Sequence, residues 1–238
     1  MLQKEPYRVA LIAFDGAHSL DISGPWEVFN TANQMIGEKP GYALQLIGSP
    51  TRQVTSSSGL RWVCDARLAN YQTPIHTLLV CGGEGVHAAC NRKSFVQSIQ
   101  RLAKRSDRIG SICTGAFALA AAGLLDGRKA TTHWSDCERF ASEYPNIQVD
   151  CDSIYVRDGQ VYTSAGVTAG IDMALAIVEH DYGHAVATQV AQDLVVFLRR
   201  PGGQSQFSVA SQRQDVRDAS IRELQLWMVE HPEANLSV

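Results

Sequence analysis

Two largely apolar runs constrain this chain more than any other feature: Tyr7–Phe14 (YRVALIAF), broken only by Arg8, and Ile75–Cys81 (IHTLLVC), broken only by His76 and Thr77. A strand with one wet face alternates apolar and polar residues, and these runs do not. They suit strands buried on both faces, which requires a parallel sheet with helices packed on each side. Between and after them the periodicity changes. A helix is predicted from near Pro25, capped by Ser23 and carrying Trp26, Val28, Phe29 and Ala32. Another runs from about Ser94 to Lys104, with Phe95, Ile99 and Leu102 on one face. Further strands are read at Tyr42–Ile47, Lys129–His133, Ile147–Val149, Ile154–Val156 and Val161–Ser164, with a hairpin over Val54–Val63. Helices are read at Ser135–Ser142, Thr168–His180 and Gly183–Leu198. The alternation predicts an α/β sandwich with a mostly parallel central sheet.

The stretch from Asp107 to Gly123 (DRIGSICTGAFALAAAG) reads as a short buried strand, a tight turn carrying Cys113, and an Ala-rich helix stopped by Gly123. Gly115 lets strand and helix approach closely. A thiol before a helix N-terminus faces unpaired amides, and this placement predicts a lowered pKa and a stronger nucleophile. The turn is the cysteine counterpart of the serine-hydrolase elbow. A cysteine in a buried turn also serves simply as a small apolar residue.

Composition excludes several classes. Net charge is −3, so the surface as a whole is not built to neutralise phosphates. No apolar run approaches the roughly 20 residues that span a bilayer, and the first residues lack a secretory pattern. Six cysteines (Cys64, Cys81, Cys90, Cys113, Cys137, Cys151) contain no CxxC pair. Their spacing predicts reduced thiols in a cytoplasmic protein rather than a disulfide framework or a zinc site. No cofactor and no metal are expected.

In such folds sites form at the carboxyl ends of strands. Asp15–Asp21, Gly82–Gly85, Cys113 and His133 all fall just after a predicted strand. Asp21 is either a carboxylate that handles protons or a local turn cap. His133 is either an imidazole partner for Cys113 or a structural histidine beside Trp134. His18 reads first as an exposed loop residue, and otherwise as part of a pocket mouth. The glycines of Thr163–Asp172, Gly166 among them, suit a strand-to-helix turn whose backbone lines a pocket.

After Arg200 the chain turns polar. Residues 201–220 read as a linker, and a new helical pattern begins at Ile221 and continues through Leu224 and Leu226-Trp227-Met228.

Three motifs, Gly110-Ser-Ile-Cys-Thr-Gly115, Gly123–Trp134 (GLLDGRKATTHW) and Thr163–Asp172 (TSAGVTAGID), resemble the ThiJ/PfpI superfamily. That group shares a flavodoxin-like three-layer α/β/α fold with class I glutamine amidotransferases. Two branches are similar to this chain: the isocyanide hydratases, and the sensor domains of GlxA-like AraC-family transcription regulators. The resemblance implies a ligand-sensing domain over 1–200, the linker at 201–220, and at 221–238 the first helix of an AraC-type DNA-binding module that is cut short. It implies Cys113 as the reactive residue and Asp21 as the acid beside it. It also implies an oxyanion-hole strand end at Gly82-Gly83, with Glu84 alongside and the Thr114 amide as second donor. Amidotransferases carry an acid two residues after the catalytic histidine; here that position is Ser135, so no complete triad is expected from His133. The regulator reading implies a small-molecule effector, a homodimer, no membrane, and DNA contact only through the module outside this chain. The alternative is a cysteine-dependent hydratase or amidase, with Cys113 as nucleophile and Asp21 as acid and base.

Overall fold

The computed structural model describes residues 5–207 and, beyond them, residues 221, 223, 224, 227, 228 and 231. The chain divides into two compact units, the first ending at Gln204 and the second beginning at Ser205.

In chain order the first unit runs β1 (Tyr7–Phe14), α1 (Ser19–Met35), β2 (Tyr42–Ser49), β3 (Gln53–Thr55), β4 (Arg61–Val63), β5 (Ala66–Arg67), β6 (Ile75–Val80), α2 (Val86–Cys90), α3 (Lys93–Ala103), β7 (Ser106–Ile112) and α4 (Gly115–Ala121). It continues with β8 (Lys129–Ala130), α5 (Cys137–Glu143), β9 (Gln148–Val149), β10 (Tyr155–Asp158), β11 (Val161–Ser164), α6 (Ala169–Tyr182) and α7 (His184–Asp193). The main sheet has the order β10-β11-β7-β6-β1-β2-β5. Every pairing in it is parallel except β10 with β11. β1 lies inside the sheet beside the central strand β6, with Leu11 opposite Leu46 of β2 on one side and Leu79 of β6 on the other. Every residue from Val9 to Phe14 is fully buried, as an apolar run without alternation requires.

Helices α1, α6 and α7 pack together on one face, and α2, α3 and α4 on the other. From β1 the chain crosses by α1 to β2 on one side. It later returns as β6 on the other side of β1. The order of the strands therefore reverses at β1, and their carboxyl ends open a crevice there. Near the amino ends of the strands Arg108 pairs with Asp181, which also accepts from the Tyr42 hydroxyl at 2.8 Å. No described helix is long and apolar enough to cross a membrane.

Three expectations are corrected. The first helix starts at Ser19 rather than near Pro25, so Ser23 is not its cap; the Ser23 hydroxyl donates to the Ser19 carbonyl at 3.1 Å. Pro25 sits inside the helix and has no N–H to offer the Asp21 carbonyl. That carbonyl instead accepts from the Cys81 thiol at 3.7 Å. Second, Cys137 and Cys151 are joined as a disulfide, with Cα atoms 5.6 Å apart, leaving four free cysteines rather than six. They are 14 positions apart in sequence, and the turn from α5 into β9 brings them together. Third, residues 201–204 belong to the first unit, where Gln204 is almost completely buried, so the polar stretch is not all linker. Of the helix expected from Ile221, the described residues 221, 223, 224, 227 and 228 are helical. The remainder of 208–238, apart from His231, lies outside the described residues.

Candidate functional site

Cys113 stands at the turn between β7 and α4 with φ 55°, in the left-handed region. Its amide donates to the Ser164 carbonyl at 3.0 Å, which fixes the turn to the end of β11. Val167 shares this strained conformation at φ 52°, a true outlier for a β-branched residue. Two such residues side by side cost on the order of 1–3 kcal/mol each, and the surrounding hydrogen bonds hold them there. Gly82 and Gly166 flank the cysteine. A Cβ at Gly82 would lie 2.6 Å from that of Cys113, so the strand end and the turn can meet only around glycine.

Asp21 is fully buried in the first turn of α1. One carboxylate oxygen accepts the Val167 amide at 2.8 Å and the other the Gly82 amide at 2.9 Å. The side chain thus ties α1 to the end of β6 and to the turn before α6. Burial raises its pKa to about 6 against the pull of those two amides and of His18. The Cys113 thiol is pushed up to about 12, first by burial and then by the Asp21 charge, while the Thr114 amide works in the other direction. This reverses the lowered pKa expected at the turn. Removal from water outweighs the few amides that a seven-residue helix presents.

The Gly83 amide donates to the Thr114 hydroxyl at 2.8 Å, and that hydroxyl donates back to the Gly83 carbonyl at 3.1 Å. Both glycine amides are thus engaged within the protein, Gly82 with Asp21 and Gly83 with Thr114. Of the donors expected here, the glycine amides are therefore taken up inside the protein. Neither Gly82, Gly166 nor Asp21 reaches the cavity wall.

Above the cysteine lies a cavity of about 470 Å³. Gly83, Glu84, Cys113, Thr114 and His133 line it, as do His18, Ser57, His87, Asp136, Arg139 and Val167. His18 therefore belongs to the site; its Nδ1 is buried, 3.9 Å from Asp21 Oδ1, and has no hydrogen-bond partner among the described residues. His133 Nδ1 lies 2.7 Å from the Ser135 hydroxyl, which donates to Asp136 at 2.9 Å. An acid does reach this histidine, three residues on and through a serine. Burial lowers the His133 pKa below its usual value despite Asp136. Among the described residues no hydrogen bond joins His133 to Cys113. His87 packs edge-on against Phe117 with ring centres 4.8 Å apart, and its Nε2 lies 3.1 Å from Arg139. Among the described residues no cluster of three His, Cys, Asp or Glu is arranged to hold a metal ion.

His87, Asp136, Arg139, Ser57 and Val167 were not legible as site residues. The one available signal was the spacing of three between His133, Asp136 and Arg139, which puts them on one side of a helical turn.

A parallel sheet with a strained, buried cysteine on the turn from strand to helix defines a class: flavodoxin-like α/β proteins built around an elbow. Within it the sequence profile of the DJ-1/PfpI family matches residues 7–180, and the chain belongs to that family. The HTH-type transcriptional regulator GlxA of Rhizobium meliloti is 35% identical over 166 residues, covering 69% of this chain and 50% of the regulator. The isonitrile hydratase of Pseudomonas putida is 29% identical over 188 residues, 79% of this chain and 77% of the enzyme. The crystal structure of a ThiJ/PfpI family protein from Pseudomonas syringae superposes with a TM-score of 0.72 at 28% identity, covering 84% of this chain and 78% of that one. This chain spans about half the length of the regulator it matches.

Proposed function

We propose that the first unit is the ligand-sensing domain of an AraC-type transcription regulator in the cytoplasm, and that a small metabolite binds in the cavity above Cys113. The observation that carries this reading is the state of the two groups an enzyme would use. Asp21 is sealed from the cavity with both oxygens occupied by backbone amides, and the thiol is pushed up to about 12. A thiol protonated at neutral pH is a poor nucleophile but a serviceable wall for a ligand. The cavity offers polar handles instead: His18, His133 and Arg139 with Glu84 and Asp136. DNA contact falls to a separate helix-turn-helix module.

In this reading the protein acts as a homodimer. The two-stranded ribbon β3–β4 exposes Leu60 and Val63 at 57% and 72%. An apolar ribbon edge of this kind pairs readily with a second copy. Val63→Glu should leave the fold intact and shift sedimentation from dimer to monomer.

The sensing test uses the chain joined to its DNA-binding module. Operator affinity is measured by fluorescence anisotropy against a panel of small metabolites. A metabolite that shifts the operator Kd about tenfold should lose that effect in Arg139→Ala and His133→Ala. An operator affinity indifferent to every metabolite and every cavity substitution would overturn the reading.

One observation favours the hydratase alternative: Asp21 acts electrostatically on the thiol, and its pKa of about 6 lets it exchange a proton near neutrality. Turnover of isocyanides by the wild type and not by Cys113→Ala would establish it.

A further inference from the structure

Gln204 ends the first unit and is only 2% exposed. Its side-chain Nε2 faces three acceptors: the Thr131 hydroxyl at 3.0 Å, the Thr132 carbonyl at 3.1 Å and the Ser153 carbonyl at 2.9 Å. Its backbone amide donates to the Asp152 carbonyl at 2.6 Å. The Oε1 atom is buried without a hydrogen-bond partner among the described residues. The amide group therefore works by its donor end alone. Turned over, it would press its oxygen against two carbonyl oxygens, so its orientation is set. Gly203 is pressed equally close. A Cβ there would lie 2.3 Å from a carboxylate oxygen of Asp152. A side chain at 203 would have to displace the Asp152 carboxylate.

The socket is made of two loops, one that runs into the cavity wall and one tied to a cavity helix by a disulfide. Thr132, whose carbonyl Gln204 holds, donates its own hydroxyl to the Cys113 carbonyl at 3.0 Å. The next residue is His133, on the cavity wall. Asp152 and Ser153 follow Cys151, whose disulfide partner Cys137 opens α5, the helix that brings Arg139 to the cavity. One buried amide thus bonds to both loops, at the point where the chain leaves the sensing unit for Ser205.

We infer that Gln204 is a clasp coupling the Cys113 cavity to the attachment of the second unit, through the relay Cys113–Thr132–Gln204. A shift of the Thr132 peptide towards or away from the cysteine strains the bonds to Nε2, and release of Gln204 frees Thr132 in turn. Coupling of this kind is reciprocal by thermodynamic necessity. The inference rests on the sensor reading for its purpose, but its test needs neither metabolite nor DNA.

Amide hydrogen exchange on the 238-residue chain reads both ends. Thr132→Val cuts the link at the cysteine, and Gln204→Leu removes the donors while keeping bulk. Thr132→Val should speed exchange at residues 205–207 about tenfold. Gln204→Leu should speed it about tenfold at the Cys113 and Val167 amides, with the core amides of β1 unchanged. If either substitution is felt only at its own end, or only as a uniform shift that includes β1, the clasp is wrong. Should Gln204→Leu fail to fold, Thr132→Val alone decides: unchanged exchange at 205–207 overturns the inference. Operator affinity indifferent to the cavity, with the exchange pattern as expected, would remove the sensor reading and leave the coupling.

Discussion

Gly166 stands so close to Cys113 that a β-carbon on it would lie 2.1 Å from the cysteine Cβ and 2.5 Å from its Cα. Gly166 is also held at φ +88°, where side chains are strained. Gly166→Ala therefore meets two penalties: roughly 1–2 kcal/mol for the left-handed backbone, and roughly 1–3 kcal/mol for overpacking. Gly59 has nearly the same φ, +85°, with nothing within 4 Å of the added carbon. Gly59→Ala should show the backbone cost alone. Urea unfolding of the two variants checks this; equal losses would mean that the contact with Cys113 relaxes freely.

Asp21 makes stability depend on pH. Its pKa stands at about 6 against the ordinary 3.8, mainly because it is buried. Between those values the native state binds the proton more tightly than the unfolded chain, so stability falls as pH rises from about 4 to 6 and stays at the lower level above. A shift from 3.8 to about 6, at about 1.36 kcal/mol per pH unit, is worth roughly 3 kcal/mol. Asp21→Asn should abolish this slope. The quantity to measure is the difference in unfolding free energy between wild type and variant from pH 4 to 7. A constant difference would refute the assignment.

The Cys113 thiol should react slowly at neutral pH, since burial and the Asp21 charge push it up to about 12. Alkylation by iodoacetamide, followed by peptide mass spectrometry, should accelerate with pH through the alkaline range without levelling off near 8. In Asp21→Asn the curve should move to lower pH, because the nearest negative charge acting on the thiol is gone. A wild-type plateau below pH 8 would show that the amides at the turn overcome burial after all.

Cys137 and Cys151 should be bonded in the purified protein. Thiol titration in guanidinium should then count four cysteines: Cys64, Cys81, Cys90 and Cys113. A loop of about 15 residues closed by a disulfide is worth about 3 kcal/mol through the unfolded chain. Replacing both cysteines with serine should lower stability by about that amount. Six titrating thiols, or a double variant as stable as wild type, would count against the bond.

Much of this was readable along the chain, for a reason that particular elements make plain. Tyr7–Phe14 and Ile75–Val80 announce inner strands because residues 9–14 and 78–80 are apolar at every position, as only a strand buried on both faces can be. The strand-turn-helix around Cys113 is likewise a local pattern. Pro25 misled because its preference for a helix start is a local rule, and the long-range bond from Cys81 to the Asp21 carbonyl overrides it. Ser135 misled as well. In sequence it marks the absence of an acid two residues after His133, whereas its hydroxyl passes the contact on to Asp136.

The sequence alone determined the layered α/β architecture, the family, and the cysteine at the carboxyl end of a strand, since these follow from periodicity and short contiguous motifs. The tertiary structure decided the properties of that cysteine and of what surrounds it. Whether a thiol is activated depends on how much water its neighbours exclude, and Asp21, Gly82 and Gly166 arrive from three separate parts of the chain. The same is true of the Cys137–Cys151 bond and of Gln204, whose burial depends on loops some 50 and 70 residues earlier.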